Sequence, residues 1–197
     1  YNMGVEWLKH IMQPDFWSKV ADPQFLSDEA IWSLRFRLKR QMIEAVRARL
    51  EHNNLRNGMS TQHYTPQVLS PNALTIGFSR RFATYKRATL LFHDYERLRG
   101  LLKNADRPVQ IIFAGKAHPA DEPGKRLLQR VYALTRDPAF EGRLAFLEDY
   151  EMHLAHRLVQ GVDLWLNVPR PPLEASGTSG MKAALNGVPQ LGTNDGW

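Results

Sequence analysis

Leu74-Thr75-Ile76-Gly77-Phe78-Ser79-Arg80-Arg81-Phe82-Ala83-Thr84-Tyr85-Lys86-Arg87 begins as an apolar run and turns abruptly basic. Leu74 to Phe78 has the composition of a strand, and the segments after it alternate in period. Lys86 to Lys103 is predicted as a helix, Val109 to Ala114 as a strand, Pro123 to Thr135 as a helix and Leu144 to Leu147 as a strand. A helix over Tyr150 to Gln160, a strand over Leu164 to Val168, a helix from about Gly180 and a last strand over Pro189 to Gly192 continue the series. Strands separated by helices predict an α/β fold, a parallel sheet with right-handed crossovers and helices on its faces. Ligands of such sheets bind beyond the carboxyl ends of the strands. Both polar clusters that stand out follow strands, Arg80 and Arg81 after Phe78 and Glu174 to Lys182 after Val168. They are expected to face one crevice.

Upstream, Pro14 and Pro23 interrupt any long helix in residues 1–26, where Trp7, Phe16 and Trp17 mark a short-helix lead-in. Ser27 is an N-cap candidate before Asp28 and Glu29. Apolar residues at Ile31, Leu34, Leu38, Met42, Ala45 and Leu50 then predict a long amphipathic helix, ending near Asn53, Asn54, Asn57 and Gly58. Two regions are expected: residues 1–72, a helical lead-in, and residues 73–197, the sheet domain. Because the chain stops just after an apolar segment, that domain is expected to be incomplete at its C-terminus, with an exposed sheet edge.

The formal charge of +6, from 26 basic and 20 acidic residues, suits anionic ligands. Its distribution argues against nucleic acid and membrane surfaces. Arg35, Arg37, Lys39, Arg40, Arg47 and Arg49 are read as a solvated helix face, which leaves Arg80, Arg81, Lys86 and Arg87 as the concentration to explain. The absence of cysteine excludes disulfides and thiolate metal sites and fits a cytoplasmic setting. No apolar run approaches the ~20 residues that a membrane helix needs. His153 and His156 lie three apart and His93 precedes Asp94, with no third ligand at metal-site spacing, so packing or surface roles are preferred and no metal is expected.

Glu174-Ala175-Ser176-Gly177-Thr178-Ser179-Gly180-Met181-Lys182 is a small, glycine-rich loop that delivers one lysine before an apolar stretch. Backbone N–H groups in such a loop wrap an anion, and the lysine attacks an aldehyde or pairs with a phosphate. The spacing is not that of a nucleotide-triphosphate loop, and Ala183 follows the lysine. Gly115-Lys116-Ala117-His118-Pro119 follows a strand without a dinucleotide fingerprint; it is a structural turn, and whether it borders the crevice stays open. The cations from Arg80 to Arg87 fall where a helix is expected to start, a place already positive in partial charge. Crowding them there is unfavourable unless an anion is bound.

The segment Glu174 to Gly187 resembles, without a gap, the cofactor-lysine signature of the alpha-glucan (glycogen, starch and maltodextrin) phosphorylases. Arg80 to Arg87 is similar to the same family's basic phosphate motif, with Arg81, Tyr85 and Lys86 in register. Further similarity runs through Gly115-Lys116-Ala117 and from Glu148-Asp149-Tyr150 to Asp163. It covers the chain well from about residue 63 and more loosely from Ser27. The resemblance implies a Rossmann-like domain, the C-terminal half of a two-domain GT-B glycosyltransferase architecture. It implies retaining phosphorolysis of alpha-1,4-glucan by inorganic phosphate to glucose 1-phosphate; whether the full-length protein forms a homo-oligomer stays open.

Lys182 would carry pyridoxal 5'-phosphate, whose phosphate group relays a proton in this family. Arg81 and Lys86 would hold the substrate phosphate, and Arg80 would sit by the cofactor phosphate with the amides of Thr178 and Ser179 and with Tyr150. Glu174, the amides of Ser176 and Gly177, and Tyr85 would bind glucose. Two phosphates near contact repel by ~4 kcal/mol per unit charge pair at an effective dielectric of 20, and three cations plus loop amides offset that. Two positions depart from the family: Glu151 replaces an arginine of the muscle-type enzymes, and Arg80 replaces a common lysine. The chain by itself is expected to be inactive. The alternatives are a GT-B transferase that uses a nucleotide sugar and a non-catalytic glucan-binding fragment.

Overall fold

The computed structural model describes residues 7–58, 69–140 and 142–196. They fall into two compact units that divide at Arg37 and Leu38. The first holds α1 (Trp7–His10), α2 (Pro14–Val20) and the opening of α3 (Asp28–Arg56). Pro14 begins α2, where a missing N–H costs nothing. Ser27 accepts the Ala30 N–H through its side-chain oxygen at 3.3 Å, the expected cap of α3.

From Leu38 onward the chain builds the sheet and its cover. The strands are β1 (Leu74–Ser79), β2 (Val109–Ala114), β3 (Leu144–Leu147), β4 (Leu164–Asn167) and β5 (Gln190–Gly192). They are all parallel, in the order β3-β2-β1-β4-β5. Each lies within a residue of its expected bounds. Side chains alternate across the sheet. On one face Ile112, Ala114 and Trp165 meet Met42, Ile43, Val46 and Leu50 of α3, Leu154 and Leu158 of α6 (Met152–Gly161), and Ala183 of α7 (Thr178–Leu185). On the other, Phe78, Ile111, Phe113 and Phe146 meet Leu98 and Leu102 of α4 (Tyr95–Lys103) and Val131 of α5 (Glu122–Thr135). The three residues of β5 are exposed at the sheet's edge.

The helix expected over Lys86 to Lys103 is not continuous. Thr84–Lys86 and Leu90–Phe92 are single 3₁₀ turns, and α4 begins only at Tyr95, where Asp94 accepts the Arg97 N–H at 3.0 Å. Tertiary bonds hold the intervening chain out of a helix. Arg87, with φ +52°, donates from Nε to the Val168 carbonyl at 2.7 Å and from Nη2 to the Pro169 carbonyl at 3.0 Å. The Tyr85 carbonyl accepts from the Arg170 N–H at 2.8 Å.

The second half of α3 belongs with the sheet unit, whereas the domain boundary was expected near residue 72. The basic face of α3 is also less solvated than expected. Lys39 is buried and donates to the Ala73 carbonyl at 2.7 Å and to Asp163 at 2.5 Å, and the same carboxylate oxygen accepts the Thr75 N–H at 2.7 Å. This pair ties α3 to the amino ends of β1 and β4, the end of the sheet opposite to the expected crevice. Arg47 likewise donates to the Leu69 carbonyl.

Candidate functional site

In the strand order β3-β2-β1-β4-β5 the chain winds outward from β1 in both directions, so connections diverge between β1 and β4 and leave a crevice at their carboxyl ends. Arg80 is the first residue after β1. The segment from Val168 to Gly177 follows β4, so the two clusters flagged by their positions after strands converge at this point. Arg80 Nη2 and Lys86 Nζ each donate to Glu174 Oε2 at 2.5 Å, and all three residues are buried. The Lys86 ammonium also lies 4.6 Å from the centre of the Tyr85 ring.

Two cations and one carboxylate leave one positive charge in excess. Burial raises the pKa of Glu174, but the Lys86 hydrogen bond and the Arg80 charge outweigh it and hold the carboxyl below its ordinary range. Burial also lowers the Arg80 pKa, against the opposing pull of Glu174. Arg80 Nε and Nη1 are buried without a partner, as are Ser79 Oγ at the end of β1 and Asn167 Oδ1 at the end of β4. Buried donors left unpaired cost about 1 to 3 kcal/mol each, more when charged. Arg80 and Ser79 thus offer donors to a ligand with acceptor oxygens, and Asn167 Oδ1 offers an acceptor to a hydroxyl, at the carboxyl ends of two adjacent strands.

Two backbone features shape the wall of this crevice. Gly115 has φ +154°, and a Cβ there would lie 2.0 Å from the Arg80 carbonyl oxygen. Glycine alone lets the turn after β2 pass so close, and that turn accepts the Phe82 N–H through the Lys116 carbonyl at 2.9 Å. The turn Gly115 to Ala117 is thus structural, and it also borders a separate 400 Å³ cavity with Lys125, Gln129, Glu148 and Asp149.

Beyond Glu174 the loop reaches α7 in four residues. Gly177 adopts the left-handed conformation at φ +68° and starts the helix, with no side chain capping its first N–H groups. Thr178, Ser179 and Lys182 of α7, with Tyr150, Met152, Ala155, His156, Val159, Trp165 and Asn186, line a cavity of 290 Å³. Trp165 Nε1 donates to Ser179 Oγ at 3.3 Å, so the indole fixes the helix start against β4. Gly180 permits close contact with β5, because a Cβ there would collide with the Gln190 side chain.

The candidates therefore occupy two neighbouring places. Arg80, Lys86, Glu174 and Tyr85 form the anion cluster at the switch point, while Tyr150, Thr178, Ser179 and Lys182 surround the cavity over α6 and α7. Ser176 and Gly177 lie in the loop between them. Arg80, expected by the cofactor phosphate, donates to Glu174, expected at the sugar. Arg81 is exposed and has no hydrogen bond or ion pair with another described residue.

The carbohydrate phosphorylase profile matches residues 30–197, so it covers the crevice, the cavity and the lysine alike. The chain belongs to the carbohydrate phosphorylase family. It is 46% identical to a maltodextrin phosphorylase of Thermococcus litoralis over 195 residues, which is 99% of this chain and 23% of that protein. It is 46% identical to a glycogen phosphorylase of Aquifex aeolicus over 92% of this chain and 26% of that protein. A glycogen phosphorylase of Mycobacterium tuberculosis is 44% identical over 95% of this chain and 22% of that protein. The chain spans about a quarter of the length of these phosphorylases.

One departure from the phosphorylase pattern has a structural explanation. Glu151 is the N-cap of α6, accepting the N–H groups of His153 at 2.7 Å and Leu154 at 2.9 Å. A residue beside Tyr150 that spends its carboxylate on the helix does not add a cation to the cavity. The motifs do not single out Trp165 or Asn167, and His156 reads in sequence as a packing or surface residue, because Trp165 and His156 come together only where α6 and β4 meet α7 and Asn167 gains its place only at the crevice end of β4. Among the described residues, no helix is long and apolar enough to cross a membrane, and no group of His, Cys, Asp or Glu is arranged to hold a metal ion.

Proposed function

We propose that this chain forms the cofactor and phosphate side of an alpha-glucan phosphorylase, which releases glucose 1-phosphate from alpha-1,4-glucan with inorganic phosphate and retention of configuration. The observation that carries the reading is the buried Arg80–Glu174–Lys86 cluster with its spare guanidinium donors, one short loop away from a cavity that contains Lys182.

The residues present fit pyridoxal 5'-phosphate. At 290 Å³ the cavity is near the lower end of small-ligand sites, about 300 Å³. It offers an exposed lysine for the aldehyde, aromatic surface from Tyr150 and Trp165, and the uncapped start of α7 for a phosphate. When bound, the cofactor would supply a phosphate group able to pass a proton to the substrate phosphate. Lys182 would hold it covalently, and the amides of Thr178 and Ser179 would receive its anionic end. Arg81 and Lys86 would hold the substrate phosphate, and Arg80 would sit by the cofactor phosphate, using charge-assisted hydrogen bonds. Glu174, once released from these cations, has acceptor oxygens for glucose hydroxyls, with Tyr85 and the amides of Ser176 and Gly177 beside it. A phosphate anion held against the glucosyl carbon stabilises the oxocarbenium character of bond cleavage and attacks the same face, which gives retention. The absence of cysteine suits a cytoplasmic protein.

The test is chemical. The chain incubated with pyridoxal 5'-phosphate and reduced with borohydride should yield, on peptide mapping, a pyridoxyl adduct on Lys182. If no adduct forms there, the phosphorylase reading fails in favour of a transferase that uses a nucleotide sugar. Glucan affinity without phosphate-dependent release of glucose 1-phosphate in a protein containing this chain would favour a non-catalytic glucan-binding role.

A further inference from the structure

Glu174 is held at both ends. Its carboxylate rests on Arg80 and Lys86, and its backbone N–H donates to Asp195 Oδ2 at 2.9 Å, across 21 residues of sequence. Asp195 lies on the strap that leaves β5, and this strap is itself fastened. The Thr193 N–H donates to the Asn167 carbonyl at 3.2 Å, Thr193 Oγ1 donates to the Pro169 carbonyl at 2.7 Å, and the Asp195 N–H donates to the Thr193 carbonyl at 2.9 Å. At Gly196, where φ is +84°, a Cβ would come within 3.1 Å of the Ser176 carbonyl oxygen and 3.3 Å of Glu174 Cγ. The strap therefore packs directly over the glycine-rich loop.

We propose that Asp195 is a positioning residue that aims Glu174. By accepting the Glu174 N–H it fixes the start of the loop relative to β4 and keeps the carboxylate seated on the two cations until phosphate displaces it. The assignment rests on the phosphate-binding roles given above to Lys86 and Arg80. Its consequence is that the affinity for phosphate depends on a residue that touches neither phosphate nor sugar.

The test measures inorganic phosphate binding to the chain by calorimetry in wild type, D195A and D195N, each repeated in an E174Q background. Loss of the acceptor in D195A should loosen Glu174 and tighten phosphate binding by about fivefold, the scale of one hydrogen bond. D195N keeps an acceptor oxygen and should bind as wild type does. In the E174Q background, where the carboxylate charge is already gone, D195A should change affinity less than twofold, because coupled residues give non-additive effects. Equal effects of D195A in both backgrounds would overturn the proposal, as would D195N behaving like D195A, which would mean that simple charge repulsion is at work. Amide hydrogen exchange at Glu174 is read in parallel and should accelerate in D195A but not in D195N. If wild type binds no phosphate, the phosphate role fails, while unchanged exchange in D195A would separately overturn the positioning role.

Discussion

Glu174 is the residue on which the chemistry of the crevice turns. Its carboxylate is the partner of two buried cations, so on the proposed reading a phosphate that takes those cations competes with it. E174Q should therefore tighten inorganic phosphate binding about tenfold, equivalent to ~1.4 kcal/mol, measured by calorimetry on the chain. The same contacts set an acid dependence. Burial works against the Glu174 charge, but Lys86 and Arg80 prevail and the folded pKa is depressed. Its stabilising contribution is thus fully present above the ordinary carboxylate value, and it disappears only as pH falls through the lower folded value. In urea titrations over that acid window, wild type should lose stability more steeply than E174Q. The motif made Glu174, Lys86 and Lys182 legible, because glycine spacing and clustered charge leave a mark in sequence. That Glu174 lies on Arg80 was not legible, since the residues are 94 apart and meet only through the pairing of β1 with β4.

Elements were read well where period and breakers agreed. β2 and β3 fall at their expected bounds, because a run of alternating or continuous apolar residues ended by Gly115 or Glu148 has few other ways to fold. The segment after Arg87 misled, since its composition suits a helix while Arg87 binds two carbonyls beyond β4. On α6, Glu151, which stands where the muscle-type enzymes have an arginine, serves as the helix cap. E151A should lower the thermal stability of the chain by about 1 kcal/mol, as loss of a cap does, and leave inorganic phosphate affinity unchanged. On α3, a basic stripe looks solvated in sequence because a lysine is written alike whether exposed or buried. K39A strips Asp163 of a buried partner and should cost about 3 kcal/mol in urea unfolding, far more than R40A, whose exposed pair with Glu44 is worth little.

For the molecule as a whole, ligand binding and stability are linked through the sheet. The cavity is lined from α6, α7, β4 and the loop holding Tyr150, so a ligand seated there fastens these elements to one another beyond their packing and the Trp165–Ser179 hydrogen bond. Pyridoxal 5'-phosphate at a hundredfold excess over its dissociation constant should stabilise the chain by about 2.7 kcal/mol, seen as a rise in Tm. K182A should lose most of that rise. The α/β class and the parallel sheet were written in the alternation of segments, and they followed without tertiary knowledge. The division of the chain into compact units at Arg37 was not, because α3 is continuous in sequence pattern while only its later residues, Met42 to Leu50, reach the sheet core.

The order β3-β2-β1-β4-β5 has a consequence for how the protein is made. Arg80 and Glu174 are 94 residues apart, and Lys86 and Glu174 are 88 apart, so the cluster closes one of the longest loops in the fold. Closing it carries a larger entropic cost than forming the β1–β2 pair, whose members are much nearer in sequence. A chain emerging during synthesis thus carries Arg80 and Lys86 for a long interval before their carboxylate has been made.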